Sequence, residues 1–302
     1  MKLVNLFLKS KIINENKMSI EKKIKLLDFK LKKNIWSNLF WIYKTSFHWK
    51  WIEFTEHKEY NFWDSIKDID WKVSAKSWNI YSKKYEEERD LDVLFFIDIS
   101  KSMDFWITDK TKKDIQEEIF YSLAFSAIQN NDSVWAFIYD TKILEYIPNS
   151  KWITNIFKII ENIEKYRKNS SWEKNTIKLI EYINKININK NLIFILTDDT
   201  NFNDEKVLKI FWTKNEVILI NIFDYFENNL IDENVNITLK SWNSFLNINL
   251  DNHKKIQNFR KLRKEKIKFL EKSLNKSNIW YINIDNTKNI YKELVWYFSK
   301  II

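Results

Sequence analysis

The residues of this chain that could do chemistry gather at the ends of two apolar runs. In Leu91–Met103, LDVLFFIDISKSM, an apolar stretch meets Asp98, and hydroxyls follow at alternate positions, Ser100 and Ser102. In 191–197, NLIFILT, a second apolar stretch runs into Asp198 and Asp199. Runs bounded in this way read as strands buried on both faces, as in a parallel sheet. A turn reading Asp-x-Ser-x-Ser at the carboxyl end of such a strand can point one carboxylate and two hydroxyls at one spot. Oxygen-only donors of that kind suit a hard cation, Mg²⁺ ahead of Mn²⁺ or Ca²⁺. The same three residues also read as caps for the following helix. Catalysis has little to work with. Cysteine is absent, and His48, His57 and His253 are scattered along the chain. There is no glycine-rich phosphate loop, and a metal-dependent phosphodiesterase needs more carboxylates at the ion than Asp98 and Asp198. The pattern points to binding and not to an enzyme.

Positioning these groups takes an alternation of helices and strands. The spacing predicts a helix over 111–130, with Ile119, Leu123, Phe125, Ala127 and Ile128 on its apolar face. Strands are expected over 133–139, 143–147 (an edge), 191–197, 216–223 and 279–284, and helices over 153–166, 174–186 and 287–301. Such alternation means an α/β fold with a doubly wound, mostly parallel sheet and right-handed crossovers. Its site should form at the carboxyl ends of strands where the strand order reverses. That rule puts Asp98, Ser100, Ser102 and Asp198 at one edge. Before this domain, assigned to 91–302, lie a basic helical segment, 1–40, and a β-rich segment of strands and turns, 41–90. An insertion is expected at about 225–277.

The composition carries one anomaly. The 302 residues include no glycine and 15 tryptophans, where average usage would give about 20 glycines. Turns with positive φ then lack their usual occupant. Several tryptophans stand where a turn or a close backbone approach wants glycine: Trp51, Trp63, Trp78 and Trp106, with Trp135 and Trp280 entering strands. A chain whose UGA codons are read as glycine, but written here as tryptophan, would show this pattern. A tryptophan-rich, glycine-free protein is the alternative.

Over roughly 45–300, and most closely over 51–104, the sequence resembles a widespread bacterial and archaeal family of unknown function, in which a short β-rich segment precedes a von Willebrand factor A-like domain. The resemblance rests on the order EF, HKEY, WD, IDWKVSAK, YEEERD and then DISKSM, between Glu53 and Met103. In it Trp71 matches a tryptophan, Trp63 and Trp106 match glycines, and Lys58, Lys67 and Lys76 stand where arginine is usual. The resemblance implies a von Willebrand A-type, Rossmann-like fold and a metal-ion-dependent adhesion site at Asp98, Ser100, Ser102, Thr176 and Asp198. Asp199 is the alternative to Asp198, and Trp172 stands where a glycine is common. It implies a Mg²⁺-dependent protein-interaction module whose open metal position takes an acidic residue of a partner. It also implies an adaptor role beside a MoxR-type AAA+ ATPase in a chaperone-like complex.

The charge is localised. The chain carries +9 overall, with ten lysines against Glu15, Glu21 and Asp28 in 1–40, and ten basic residues against Glu265 and Glu271 in 253–276. Phe259, Leu262, Leu270 and Leu274 are expected to share one face of a helix in the second segment. Basic helices can bind nucleic acid or an anionic membrane surface, which is the competing reading of function. Nothing in the sequence reads as a signal peptide, and no run reaches the roughly 18 apolar residues of a membrane span. A cytoplasmic location is expected.

Overall fold

The computed structural model describes residues 22, 24–28, 36–48, 54–85, 90–104, 110–172, 174–186, 188–202, 204–225, 236–241, 244–249, 253–275, 279–285 and 287–300. Outside them fall Trp51, Trp106, the acidic run 86–88 and most of the 1–40 segment. In chain order the elements are α1 (Trp36–Tyr43), β1 (Phe54–Glu59), α2 (Trp71–Ser77), β2 (Tyr81–Tyr85), β3 (Asp92–Asp98) and α3 (Lys112–Gln129). Then come β4 (Ser133–Tyr139), β5 (Ile143–Ser150), α4 (Ile153–Arg167), α5 (Thr176–Lys185), β6 (Leu192–Thr197), α6 (Glu205–Lys214) and β7 (Glu216–Phe223). The chain continues through β8 (Asn236–Ser241), β9 (Ser244–Asn249), α7 (His253–Asn275), β10 (Trp280–Asp285) and α8 (Ile290–Phe298).

Six strands form the central sheet in the order β10-β7-β6-β3-β4-β5, all parallel except the edge strand β5. The continuous apolar runs explain the arrangement, because a strand covered on both faces has no polar side to show water. Val93, Phe95 and Ile97 face one helical layer, drawn from α1, α3, α4 and α8. Leu94 and Phe96 face the other, drawn from α5, α6 and α7. Phe95 stacks on Phe194 and meets Phe120 edge to face, and each buried ring contributes about 2 kcal/mol of transfer free energy. The fold is a mixed α/β sandwich with a doubly wound, Rossmann-like sheet. From β3 the chain builds outward through β4 and β5, then returns to the other side of β3 with β6, so the order reverses between β3 and β6.

Helix α3 starts at a capping box. Thr111 Oγ1 accepts from Asp114 N–H at 3.0 Å, and Thr111 N–H donates to the Asp114 carboxylate at 2.9 Å. The helix is covered on nearly all sides, so buried polar residues, Gln116, Glu117, Glu118, Ser122 and Ser126, lie among its apolar ones. From the stretch assigned to the amino-terminal segments, Leu39, Tyr43 and Phe47 enter the same core. Tyr43 Oη donates to Asp132 at 2.9 Å, and Asp132 in turn accepts from Leu91 N–H.

Two differences from the sequence reading stand out here. The stretch 41–90 holds the strands β1 and β2 as an antiparallel pair, but the WKVSAK part of IDWKVSAK is helical. Asp70 caps α2 by accepting from the N–H groups of Lys72 and Val73. Lys58 bonds Asp64 at 2.5 Å and His57 meets Asp70 at 3.1 Å, so the charged residues that carry the family resemblance tie this small unit together. In α7, Leu270 and Leu274 are buried while Leu262 is 66% exposed. At a 100° step Leu262 lies about 80° round the helix from Leu270 and about 120° from Leu274, which takes it off the buried face.

Candidate cation site

Asp98 ends β3, and Asp198 follows β6, one on each side of the point where the strand order reverses. Asp98 is fully buried. Its Oδ1 accepts from Ser100 N–H at 2.9 Å and its Oδ2 from Thr197 Oγ1 at 2.6 Å. Burial pushes its carboxyl above the ordinary range, against the opposing pull of the Lys174 ammonium. From the short 3₁₀ turn after β3 the hydroxyls run in a chain. Ser100 Oγ lies 3.0 Å from Ser102 Oγ, and Ser102 Oγ donates to Asp198 Oδ1 at 3.0 Å. Four of the five residues named from the sequence are thus brought to one spot.

Thr176, the fifth, is buried at the first position of α5 but turns to the neighbouring carboxylate. Its Oγ1 donates to Asp199 Oδ2 at 3.0 Å and lies 3.2 Å from Tyr139 Oη. Asp199 also accepts from Asn201 N–H at 2.9 Å. The two consecutive acids therefore divide the work: Asp198 faces the serine hydroxyls, and Asp199 braces the loop and Thr176.

Two lysines that sequence reasoning did not single out complete the site. Lys112, in the first turn of α3 and only 2% exposed, donates to Asp198 Oδ2 at 2.6 Å. Lys174, just ahead of α5, bonds Asp198 Oδ1 and donates to Ser102 Oγ at 3.1 Å. Burial alone would raise the Asp198 carboxyl, but these two ammonium groups overcome it and hold the group well below the usual carboxylate range. Lys174 is held charged in the same way: burial opposes its charge, and Asp198, Asp98 and Asp199 outweigh it. The loop carrying Lys174 is tied to Asp140 at the end of β4, which accepts from Ser171 N–H at 3.0 Å, while its carbonyl accepts from Asn175 N–H at 3.2 Å. Beneath the site, Gln116 Nε2 donates to the carbonyls of Asp98 (2.7 Å) and Leu196 (3.0 Å), clasping β3 to β6. Its Oε1 accepts from Arg167 at 2.6 Å, and Arg167 also pairs with Glu117.

Among the described residues no three acids or histidines gather as a metal cluster. The donors here are two carboxylates and two hydroxyls, all oxygen, and a cationic ammonium already stands among them. That chemistry fits a hard cation.

A family model, described as a protein of unknown function, DUF58, matches residues 56–267. The chain belongs to the DUF58 family. Among solved structures, this DUF58 chain is similar to the conserved hypothetical protein BatB from Bacteroides thetaiotaomicron. The TM-score is 0.41 at 13% identity, over 70% of this chain and 98% of that one. An aerotolerance-related membrane protein from Bacteroides fragilis gives 0.41 at 12%, over 70% and 99%. An uncharacterized membrane spanning protein from Vibrio fischeri gives 0.25 at 10%, over 70% and 96%. No curated protein matches. In this DUF58 chain, no helix among the described residues is long and apolar enough to cross a membrane.

Proposed function

We propose that this protein is a cation-dependent protein-interaction module of von Willebrand A type, and not an enzyme. The observation that carries the reading is the convergence of Ser100, Ser102 and Asp198 in one 3.0 Å chain beside buried Asp98. Asp98, Ser100, Ser102 and Asp198 would hold Mg²⁺, with Mn²⁺ or Ca²⁺ as substitutes, and Thr176 would act through Asp199. The bound ion supplies a positive charge that a partner's carboxylate can meet. By the resemblance set out above, the partner is a MoxR-type AAA+ ATPase in the cytoplasm, and this protein is its adaptor. The test is capture from the native lysate by wild type and by Asp98→Ala, each with Mg²⁺ and with EDTA. Retention of the ATPase only by wild type with Mg²⁺ supports the reading. Retention regardless of metal and of Asp98 rejects it.

We also propose that most of the tryptophans are glycine in the living protein. Trp78 supports this. It ends α2 at φ 63°, in the left-handed region, with its side chain 95% exposed. A side chain there costs about 1–2 kcal/mol, and glycine is the usual occupant of such a helix end. Among the described residues the other two left-handed positions hold Asn131 and Lys190. UGA codons at Trp63 and Trp78 in the coding DNA support the proposal, and UGG codons there end it.

A second reading has one observation in its favour. On the outer side of α7, Leu262 and Phe269 are 66% and 70% exposed among Lys261, Lys264, Lys266 and Lys268. An anionic membrane surface or a nucleic acid would meet that face, independently of Asp98 and with steep salt dependence.

A further inference from the structure

The two lysines on Asp198 are not equivalent. Lys112 projects from α3, a helix packed into the core, and its side chain is 2% exposed. Lys174 reaches in from the loop between α4 and α5, and its side chain is 19% exposed. The Lys112 ammonium touches Asp198 from the helix side. The Lys174 ammonium bridges Asp198 and Ser102, so it takes up two members of the oxygen set at once. Beside it opens a cleft of about 910 Å³, lined by Lys174, Asn175, Ile177, Asp199, Asn201, Asp204 and Lys206. A long, flexible side chain at the border of that cleft has room to leave, and Asp199 and Asp204 offer it carboxylates outside the oxygen set.

We propose that Lys174 is a tethered stand-in cation: its ammonium closes the Asp198 site, and a divalent cation binds by exchanging with it. This rests on the cation-site reading above and adds its regulation. With Lys174 in place, two ammonium groups balance the carboxylates of Asp98 and Asp198. Asp199 adds one negative charge at the cleft, so the closed site has no attraction for a partner's acid. Exchange of the Lys174 ammonium for a dication, with that ammonium moving out onto Asp199, leaves one net positive charge facing the cleft. Partner binding therefore depends on the exchange and not simply on the presence of the serines and acids. The loop itself stays fixed, because Asp140 holds it through Ser171 and Asn175, so only the side chain has to move.

The experiment measures Mn²⁺ alone, by the free-ion signal in electron paramagnetic resonance. It compares wild type, Lys174→Met, and Lys174→Met combined with Asp198→Asn, each checked for folding by circular dichroism. Lys174→Met should bind Mn²⁺ at least about tenfold tighter than wild type, since the tethered competitor is gone and a factor of ten is only about 1.4 kcal/mol. Its melting temperature should lie below wild type without Mn²⁺ and rise more than wild type's on adding it. The combined variant should bind none at this site. Equal affinity in wild type and Lys174→Met overturns the exchange while leaving the cation site standing. No Mn²⁺ binding by either folded protein overturns both. Binding that survives Asp198→Asn puts the ion elsewhere and overturns the exchange.

Discussion

Removing Lys112 should expose how much the site depends on charge balance. Asp198 is buried and keeps its charge because two ammonium groups face it, Lys112 at 2.6 Å and Lys174. Lys112→Met keeps the stem and deletes the charge. Breaking a buried pair by removing one partner costs about 3–5 kcal/mol. Lys174 remains beside Asp198, so the lower end, about 3 kcal/mol, is expected. With a urea m-value of about 3 kcal/mol/M for a chain of this size, the unfolding midpoint should fall by about 1 M. Lys112→Met combined with Asp198→Asn removes the uncompensated charge as well, so it should recover most of that loss. Urea unfolding near neutral pH, followed by circular dichroism, gives all the corners of the cycle. A loss under about 1 kcal/mol for Lys112→Met would refute the argument, and so would a double variant that loses the sum of the two singles.

Other outcomes follow from the same contacts. Gln116→Ala leaves the carbonyls of Asp98 and Leu196 without their side-chain donor and Arg167 Nη2 without the Gln116 oxygen, while Arg167 keeps its pair with Glu117. At about 1–3 kcal/mol for each buried group left unsatisfied, the midpoint should drop by about 1 M in urea or more, and an unchanged midpoint would contradict the clasp. Trp78→Gly should stabilise by about 1 kcal/mol, because the left-handed position loses its Cβ clash, and raise the melting temperature by about 1.5–2 °C; a lower melting temperature speaks against it. Burial holds the hydroxyls of Tyr43 and Tyr139 well above their ordinary value of 10.0. Unfolded tyrosines ionise there while the folded ones do not, so stability is full below about pH 10 and is lost as pH rises beyond it. Lys174, also raised, acts in the same direction. Melting temperatures flat from about pH 8 to about pH 11 would show that these groups are not so enclosed.

The sheet was legible because its strands are unbroken apolar runs, which only a doubly covered strand can accept. Ser133–Tyr139 and Glu216–Phe223 fall where the sequence puts them. Asp98, Ser100, Ser102 and Asp198 were legible for a related reason: polar residues directly after buried strands must lie at the sheet's carboxyl edge. Helix α6 went unread, although Asp204 caps it by accepting from Lys206 and Val207 N–H. An aspartate ahead of EKVLKIFWTK was the available signal, as Asp70 was for α2. Lys112 and Lys174 could not be read. In a chain with 50 basic residues, nothing local marks the two that tertiary packing turns inward. The Thr176 hydroxyl goes to Asp199 because Asp198 is already claimed by Ser102 and the two lysines.

The most direct measurement is equilibrium binding between this protein and a purified MoxR-type ATPase, the partner proposed above. Wild type and Asp98→Ala are each compared in Mg²⁺ and in EDTA, from about 0.05 to about 0.3 M salt. A metal-bridged clamp gives a complex only for wild type with Mg²⁺, and one that tolerates the salt. A complex that forms equally in EDTA or with Asp98→Ala, and fades steeply with salt, would contradict it and pass the role to the basic face of α7.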